Sequence, residues 1–390
     1  MDEGLMRTYA RAEPVFVAGE GALLFDEQGR EYLDFLGGIA VSALGHGDEG
    51  LARILFEQAS MLVHTSNLFR HRFAEDLAKR LCALCGMGAA FFANSGAEAI
   101  ECAMKLARKA QRDRGREERT GFAALAGGFH GRTLGALSLT HAEKYRAPFG
   151  PLMQASFVEP EDSAALERVL VERRPAALFV EPIQGEGGVR ELSASFLRDA
   201  RELCTETGTL LVHDEIQCGC GRTGRFLAGQ HHGIAPDVVT LAKPLAAGLP
   251  MGACLCSEEL AETLGPGDHG STFGGGPLAC RAALYFLDRL DGGLLEEVDR
   301  KGRILRAGLE DLASRHVAIA EVRGRGLMAG IRLARGAQAV QKALFERGLI
   351  ANRTAGDVIR LLPPYVVREE QIGEALLRID RTLTTLEEGP

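Results

Sequence analysis

The central part of the chain alternates short apolar runs with amphipathic stretches. The apolar runs show almost no polar alternation, so they predict strands that are buried on both faces. The amphipathic stretches repeat apolar residues every three to four positions, which predicts helices. Together they predict an α/β fold with a mainly parallel sheet and helices on both of its faces. The predicted strands are 122–128, 176–182, 209–215, 237–243 and 252–257, and the predicted helices are 97–112, 164–173 and 195–208.

The two ends of the chain show different patterns. Residues 19–38 are rich in turn glycines, which predicts small strands and a hairpin. Beyond about residue 290, strand-like and helix-like segments alternate again, which predicts a smaller α/β domain whose boundary lies in the helix after Gly275. The strand-like segments are 321–333 and 348–353, and the helix-like segments are 337–348 and 369–389.

Length, charge and cysteine content narrow the classes of function. A chain of 390 residues is long enough for more than one domain. The formal net charge is −8 and no block of lysine or arginine stands out, which argues against a nucleic-acid partner. No apolar run is long enough for a membrane span, and the first residues lack the apolar segment of a secretory signal. The nine cysteines, an odd number, then favour reduced thiols in the cytoplasm.

Cys82 and Cys85 have the C-x-x-C spacing of metal and redox sites. They lie in an amphipathic pattern that predicts a helix, and no second pair or neighbouring histidine completes a ligand set. Packing of small apolar side chains explains the pair better. The sequence therefore predicts no metal site.

The motif NSGAEA, from Asn94 to Ala99, follows an apolar run and opens an amphipathic helix. Ser95, Gly96 and Ala97 would lie at the helix start, where free backbone N–H groups and the positive end of the helix dipole attract an anion. An ordinary serine cap explains the motif equally well when it is taken alone.

Two chemically useful residues end neighbouring predicted strands. Asp214 closes 209–215 and Lys243 closes 237–243, and α/β folds bind ligands at the carboxyl ends of their strands. A salt bridge for Asp214 or a solvent-reaching side chain for Lys243 would explain each residue alone. An anion site, a carboxylate and a lysine in this order, however, fit the phosphate, ring nitrogen and aldehyde of pyridoxal 5′-phosphate (PLP).

Gly219, Gly221 and Gly224 form a GxGxxG pattern after a predicted strand, which raises the alternative of a dinucleotide-binding dehydrogenase. The residues that follow are polar and interrupted by glycine, and no acidic strand end comes about 20 residues later. The sequence therefore favours a PLP enzyme over a dinucleotide-binding dehydrogenase.

Motifs along nearly the whole chain resemble those of the class III aminotransferases, which are PLP enzymes of fold type I. The resemblance implies a large PLP-binding domain at 51–290 and a small domain formed by 1–50 and 291–390. Three departures from the family pattern are Pro244 after the lysine, Gly276, and the pair Arg70-His71. The matching stretches include FFANSGAEAIECAMKLAR, FHGRTLGALSLT, VEPIQGEGGV, LLVHDEIQCGCGRTG, TLAKPLAAGLPMGA and STFGGGPLAC.

The resemblance also implies roles for individual residues around the cofactor. Lys243 would be its covalent anchor and the catalytic base, and Asp214 would pair with the pyridinium nitrogen. Phe129 would stack on the ring, and Gln217 would contact its 3-oxygen. The phosphate would be bound by Ser95, Gly96, Ala97 and, from the neighbouring subunit of a homodimer, Thr272.

Four further residues would bind substrate according to the same resemblance. Arg132 would hold the substrate α-carboxylate through its planar guanidinium, and Ser271 would also touch substrate. Glu186 would pair with Arg360 when the amino donor is bound and would release it for the carboxylate of 2-oxoglutarate. One site would thereby accept both substrates.

Within this family, the motifs are most similar to those of members that act on N2-acetyl-L-ornithine. This implies transfer of the δ-amino group to 2-oxoglutarate, giving N-acetyl-L-glutamate 5-semialdehyde and L-glutamate in arginine biosynthesis. Succinylornithine, ornithine, 4-aminobutyrate and a carrier-linked aminoadipate semialdehyde stay open as substrates. A binding protein of the same fold without catalysis is a further alternative, although it predicts loss of Lys243 or Asp214.

Overall fold

The computed structural model describes residues 4–388. It contains seventeen strands and twelve α-helices in the described part of the chain. The strands are β1 (Phe16–Glu20), β2 (Leu23–Asp26), β3 (Glu31–Asp34), β4 (Ala89–Ala93), β5 (Phe122–Leu125), β6 (Ala155–Val158), β7 (Ala177–Val180), β8 (Ile183–Gln184), β9 (Arg190–Glu191), β10 (Leu210–Asp214), β11 (Val238–Leu241), β12 (Gly252–Cys256), β13 (Ile319–Arg325), β14 (Met328–Leu333), β15 (Leu349–Ile350), β16 (Asn352–Thr354) and β17 (Val358–Leu361). The helices are α1 (Gly37–Ala40), α2 (Glu49–Met61), α3 (Arg72–Cys85), α4 (Gly96–Asp113), α5 (Leu134–Leu139), α6 (Glu143–Arg146), α7 (Ser163–Arg173), α8 (Ala194–Thr207), α9 (Pro277–Arg289), α10 (Leu295–Arg315), α11 (Ala337–Glu346) and α12 (Glu369–Glu388).

A seven-stranded sheet in the order β4-β12-β11-β10-β7-β5-β6 forms the centre of the molecule. Only β12 runs antiparallel to its neighbours. All residues of β5, β7, β10, β11 and β12 are buried, which explains the continuous apolar runs in the sequence. The predicted mainly parallel sheet is thus confirmed.

Helices cover both faces of this sheet, as predicted. Ile100 and Met104 of α4 pack in one apolar cluster with β10 and β11. Leu166 of α7 and Phe196 of α8 belong to another cluster with the opposite-facing residues of β7 and β10, such as Leu178 and Leu211. Because successive strand residues point to opposite faces, a run that is apolar throughout needs both layers.

The remaining strands form three small sheets, with the orders β1-β2-β3-β15, β13-β14-β17-β16 and β8-β9. The hairpin predicted in 19–38 is present as β1, β2 and β3. The segment 348–353, predicted as one strand, is instead divided: β15 pairs with β3 and β16 pairs with β17. The predicted domain boundary at 290 falls in an irregular turn, Leu290–Leu294, between α9 and α10, and the domain division stays a prediction.

Two elements of the fold had no clear signal in the sequence. The edge strand β6 and the helix α2 were not predicted, because β6 is only partly buried and α2 is largely exposed. After the GxGxxG pattern come turns and a short 3₁₀ helix, Ala228–His231, rather than the long helix of a dinucleotide site.

No helix within residues 4–388 is both long and apolar enough to cross a membrane.

The cysteines form no disulfide in this structure. All nine thiols are free, and all except Cys82 are buried. Within residues 4–388, no group of histidine, cysteine or acidic side chains is arranged to hold a metal ion.

Candidate active site

A cavity of about 420 Å³ opens where β5, β10 and β11 end and α4 begins. Its wall brings together segments that are far apart in sequence. Eight of the predicted site residues line it: Ser95, Gly96, Ala97, Phe129, Arg132, Asp214, Gln217 and Lys243.

The first turn of α4 forms one side of the cavity. Ser95 is the N-cap, and its Oγ accepts a hydrogen bond of 3.2 Å from the backbone N–H of Glu98. The remaining N–H groups of the first turn have no partner within the helix, so they favour an anion in the cavity. Glycine at position 96 lets the helix pack closely, because a Cβ atom there would lie 2.9 Å from Cδ1 of Ile216.

Lys243 follows β11 and borders the same cavity. Its φ of +31° is unfavourable for a residue with a side chain, and such strain persists only where the surrounding structure imposes it. Burial, followed by the charge of Arg360, lowers the pKa of Lys243, although nearby carboxylates oppose the shift. No hydrogen bond or ion pair to Lys243 forms within residues 4–388, so its amine is available for chemistry.

Asp214, at the end of β10, is buried, and both of its carboxylate oxygens form hydrogen bonds. Oδ2 lies 2.7 Å from Nδ1 of His130, and Oδ1 accepts hydrogen bonds from the N–H of Ile216 at 3.1 Å and from Oγ1 of Thr240 at 3.3 Å. Burial lowers the pKa of His130, but the hydrogen bond and charge of Asp214 raise it more, and the net direction is upward. The contact with Asp214 therefore favours the protonated form of the His130 imidazole.

Glu181 is a second buried carboxyl group beside the cavity. It ends the run of β7 and accepts hydrogen bonds from the N–H groups of Phe129 at 3.1 Å and Gly185 at 3.4 Å. Burial raises the pKa of Glu181 to about 7, and the charge of Asp214 adds to this against the opposing effect of His130. Its charge therefore changes near neutral pH.

Glu186 and Arg360 form the predicted ion pair. Nη1 of Arg360 donates to Oε1 of Glu186 at 2.6 Å and to Oε1 of Gln217 at 2.9 Å, while Nε donates to Oδ1 of Asn352 at 3.1 Å. Arg360 is fully buried, but its Nη2 has no hydrogen-bond partner. Gln217 links this pair to the main cavity, and Glu186 lines an adjoining pocket of about 410 Å³.

Arg132 is held differently from Arg360. Its Cζ lies 3.9 Å from the ring centroid of Tyr145 and 5.4 Å from that of Phe129. No carboxylate in residues 4–388 forms an ion pair with it. Arg132 therefore borders the cavity free to bind an incoming carboxylate, whereas Arg360 lies behind Gln217, buried and already paired with an acid.

Residues 8–383 match the family model described as "Aminotransferase class-III". The chain belongs to the class III aminotransferases. This aminotransferase is 45% identical to the mitochondrial acetylornithine aminotransferase of Alnus glutinosa over 95% of this chain and 84% of the relative. It is 44% identical to the acetylornithine aminotransferase of Aquifex aeolicus over 95% of this chain and 97% of the relative.

Solved structures of related enzymes have the same fold as this aminotransferase. The ornithine aminotransferase of Toxoplasma gondii superposes with a TM-score of 0.94 at 34% identity, covering 99% of this chain and 93% of that one. The N-acetylornithine aminotransferase of Stenotrophomonas maltophilia gives 0.85 at 35% identity, covering 97% and 98%. The type I fold predicted from the motifs is confirmed.

The cofactor of class III aminotransferases is PLP, and a structure of the Toxoplasma gondii enzyme is described with PLP at its active site. The cavity of this aminotransferase fits that cofactor on three independent observations. The unpaired N–H groups of α4 suit its phosphate, the fixed carboxylate of Asp214 suits its ring nitrogen, and the unpartnered amine of Lys243 suits its aldehyde. The role of each residue stays a prediction.

Ser271 and Thr272 lie outside the cavity wall of this aminotransferase. Oγ of Ser271 accepts hydrogen bonds from Nδ2 of Asn94 at 3.1 Å and from the N–H of Gly274 at 2.9 Å, so Ser271 is near the start of α4. Thr272 is exposed and contributes nothing to the cavity of its own chain. This position neither supports nor contradicts the prediction that Thr272 serves a neighbouring subunit.

The three departures from the family pattern leave the cavity intact. Pro244 lies in a 3₁₀ turn, Lys243–Ala246, immediately after the lysine. Gly276 caps α9 with a φ of −62°, which any residue can adopt. His71 lies with Nε2 2.8 Å from the carbonyl oxygen of Gly275, and Arg70 pairs with Glu75 on the surface.

His130, Glu181 and Tyr145 are the site residues that the sequence did not single out. Glu181 could have been found by the argument used for Asp214, because it too is an acid at the end of an apolar strand. His130 stands between Phe129 and Gly131, but no spacing rule distinguishes a histidine that faces Asp214 from one in the core. Tyr145 had no signal, because its contact with Arg132 joins a one-turn helix to an irregular segment.

Proposed function

We propose that this aminotransferase transfers the δ-amino group of N2-acetyl-L-ornithine to 2-oxoglutarate, as part of arginine biosynthesis. The observation that carries the proposal is the difference between its two arginines. The donor has one carboxylate, which Arg132 is free to bind, while Glu186 neutralises Arg360. The acceptor has two carboxylates and needs both guanidinium groups. Curated acetylornithine aminotransferases 42–45% identical over at least 95% of this chain support the same substrate.

The residues around the cofactor have complementary tasks in this reaction. When bound, PLP supplies an aldehyde that takes up the amino group and a pyridinium ring that withdraws electrons from the carbon that loses its proton. Ser95, Gly96 and Ala97 would hold the phosphate at the start of α4, and Phe129 would pack on the ring. Asp214, held in place by His130, would hold the proton on the ring nitrogen.

Lys243 anchors the cofactor and then moves the proton between the substrate carbon and the cofactor. Proton transfer requires the neutral amine, and burial favours that form by lowering the pKa of Lys243. Because the amine has no protein partner within the described residues, it can turn towards the substrate without breaking a hydrogen bond.

Glu186 and Arg360 allow one cavity to accept two substrates in turn. With the donor bound, the pair stays closed and Arg360 cannot attract its carboxylate. With 2-oxoglutarate bound, a carboxylate replaces Glu186 on Arg360, whose Nη2 is free to form the second bond of a bidentate pair. Gln217 remains beside Arg360, where it would also contact the 3-oxygen of the cofactor.

We infer a homodimer in which Thr272 reaches the phosphate of the neighbouring site. Thr272 is exposed, and the adjacent Phe273 is 68% exposed. Leu68 and Phe69, held nearby through the hydrogen bonds of Asn67 to the Ser271–Gly274 loop, are 88% and 69% exposed. Apolar patches of this kind mark contact surfaces.

The free thiols support a cytoplasmic location.

A panel of amino donors tests the proposed substrate. Purified enzyme with PLP and 2-oxoglutarate is given N2-acetyl-L-ornithine, N2-succinyl-L-ornithine, ornithine or 4-aminobutyrate, and glutamate formation is measured. We expect the highest kcat/KM for N2-acetyl-L-ornithine. Activity with 4-aminobutyrate or ornithine, but none with the acetylated donor, would refute the proposal.

A further inference from the structure

Tyr145 is the only aromatic residue among residues 4–388 whose ring centre lies within 4 Å of the Arg132 guanidinium carbon. It belongs to the one-turn helix α6 and is half-buried, with its backbone N–H bonded to the carbonyl oxygen of Ala142 at 3.0 Å. Its ring also meets that of Phe129 edge to face, at 6.5 Å and 84°. The short helix therefore fixes the backbone of Tyr145, and Phe129 contacts its ring.

A guanidinium stacked on an aromatic ring keeps its N–H groups pointing outward in its own plane. That edge is the one that pairs with both oxygens of a carboxylate. An exposed arginine loses side-chain entropy when it becomes fixed, so a ring that fixes it beforehand increases its affinity for the carboxylate. An acidic partner would also fix Arg132, but it would compete with the substrate.

A second cation lies beside the ring of Tyr145. Nζ of Lys144 lies 4.9 Å from the centroid of the same ring, so two cations are next to it. The phenol oxygen of Tyr145 forms no hydrogen bond with the described residues. What Tyr145 offers to Arg132 is therefore the face of its ring and not its hydroxyl group.

We infer that Tyr145 is a positioning residue that holds Arg132 ready for the α-carboxylate of the amino donor. It acts through Arg132 and not on the reacting atoms. The inference relies on the proposed function only for the identity of the donor. It predicts that Tyr145 matters for donors with a carboxylate and not for the same donors without one.

Matched substrates and variants test this inference in the PLP-loaded enzyme. N2-acetyl-L-ornithine is compared with N-acetyl-1,4-diaminobutane, which has the same amine and acetyl group but no carboxylate. In Tyr145→Leu, we expect KM for the first to rise about tenfold, and kcat/KM for the second to stay within about twofold. Tyr145→Phe keeps the ring face and should stay within about twofold for both.

Binding without turnover gives a second readout. N-acetyl-L-norvaline has the donor's carboxylate but no δ-amine, so it binds without reacting. Calorimetry should show an affinity about tenfold weaker in Tyr145→Leu and little changed in Tyr145→Phe. In an Arg132→Leu background, Tyr145→Leu should cost almost nothing more, because the two residues act as one unit.

Several outcomes would overturn the inference. These are equal losses with both donors, losses in Tyr145→Phe as large as in Tyr145→Leu, unchanged kinetics in Tyr145→Leu, or additive effects in the double variant. If Tyr145→Leu does not retain PLP absorbance, Tyr145→Met replaces it, since methionine fills the space without a ring face. If wild-type enzyme rejects N2-acetyl-L-ornithine, the proposed function fails, and the comparison is made with the ω-amino acid it accepts and the matching amine.

Discussion

The cofactor half and the substrate half of the cavity are built in different ways. Asp214 ends β10, Lys243 lies two residues beyond the end of the neighbouring strand β11, and Asp214 is held by three hydrogen-bonding groups. Arg132 instead rests on an aromatic ring, and the Glu186–Arg360 pair joins a loop to a different sheet. The cofactor stays in place through every turnover, which suits fixed contacts. Two substrates must alternate, which suits contacts that can be exchanged.

Loss of Lys243 should have the largest effect. Lys243→Ala removes the cofactor anchor and the proton carrier together, and we expect activity to fall by at least about 10⁴-fold. Glutamate formation measures this, and the yellow colour of the PLP enzyme should change. Lys342→Ala, at a side chain 80% exposed, is the matched control and should behave as wild type. Unaltered spectrum and turnover in Lys243→Ala would refute the assignment.

Loss of Arg360 should have the second-largest effect on activity, and this effect should be confined to one substrate. Arg360→Ala removes a buried guanidinium that meets a substrate carboxylate, so kcat/KM for 2-oxoglutarate should fall about 10³-fold. The donor half-reaction, followed by cofactor absorbance, should change much less. Glu186→Gln weakens the competing carboxylate and should lower KM for 2-oxoglutarate. Equal losses in both half-reactions would show that the pair is not an exchangeable contact.

Glu181 should make the stability of the cofactor-free protein depend on pH. Since burial raises its pKa to about 7, the folded protein holds a proton there that the unfolded chain has released above its ordinary, lower pKa. Stability therefore falls as pH rises through about 7, by at most about 3 kcal/mol. Glu181→Gln should lack this loss.

Denaturant unfolding between pH 5 and 8 measures the difference between Glu181→Gln and wild type. The exposed Glu262→Gln variant is the control and should follow the wild-type curve. Parallel curves for Glu181→Gln and wild type would mean that Glu181 is charged throughout this range.

Removal of an N-cap serine should have the smallest effect, and it can show whether Ser95 only caps α4 or also binds phosphate. Ser95→Ala and Ser193→Ala each remove an N-cap, of α4 and α8, and each should cost about 1 kcal/mol of stability. Only Ser95 borders the cavity, so only Ser95→Ala should also weaken PLP binding, which fluorescence titration measures. Equal PLP affinities in the two variants would leave Ser95 as a cap alone.

Much of this cavity was predictable because its chemistry lies at the ends of regular elements. Lys243 and Asp214 follow apolar strands, and Ser95 opens a helix, so local patterns place them at the edge of a sheet. The ion pair of Glu186 and Arg360 was expected only through the resemblance to a family. Nothing in the local sequence connects the turn between β8 and β9 to β17.

The sequence by itself determined the layers of the fold, the strand ends that carry Asp214 and Lys243, and the anion-binding start of α4. These follow from hydrophobic periodicity and from the backbone groups that a helix start leaves free. Only the tertiary structure decided that His130 faces Asp214, that Glu181 is buried beside them, and that Tyr145 supports Arg132. Those contacts join segments whose distance in space depends on the packing of the whole chain, and burial, which sets the charge of Glu181, exists only after folding.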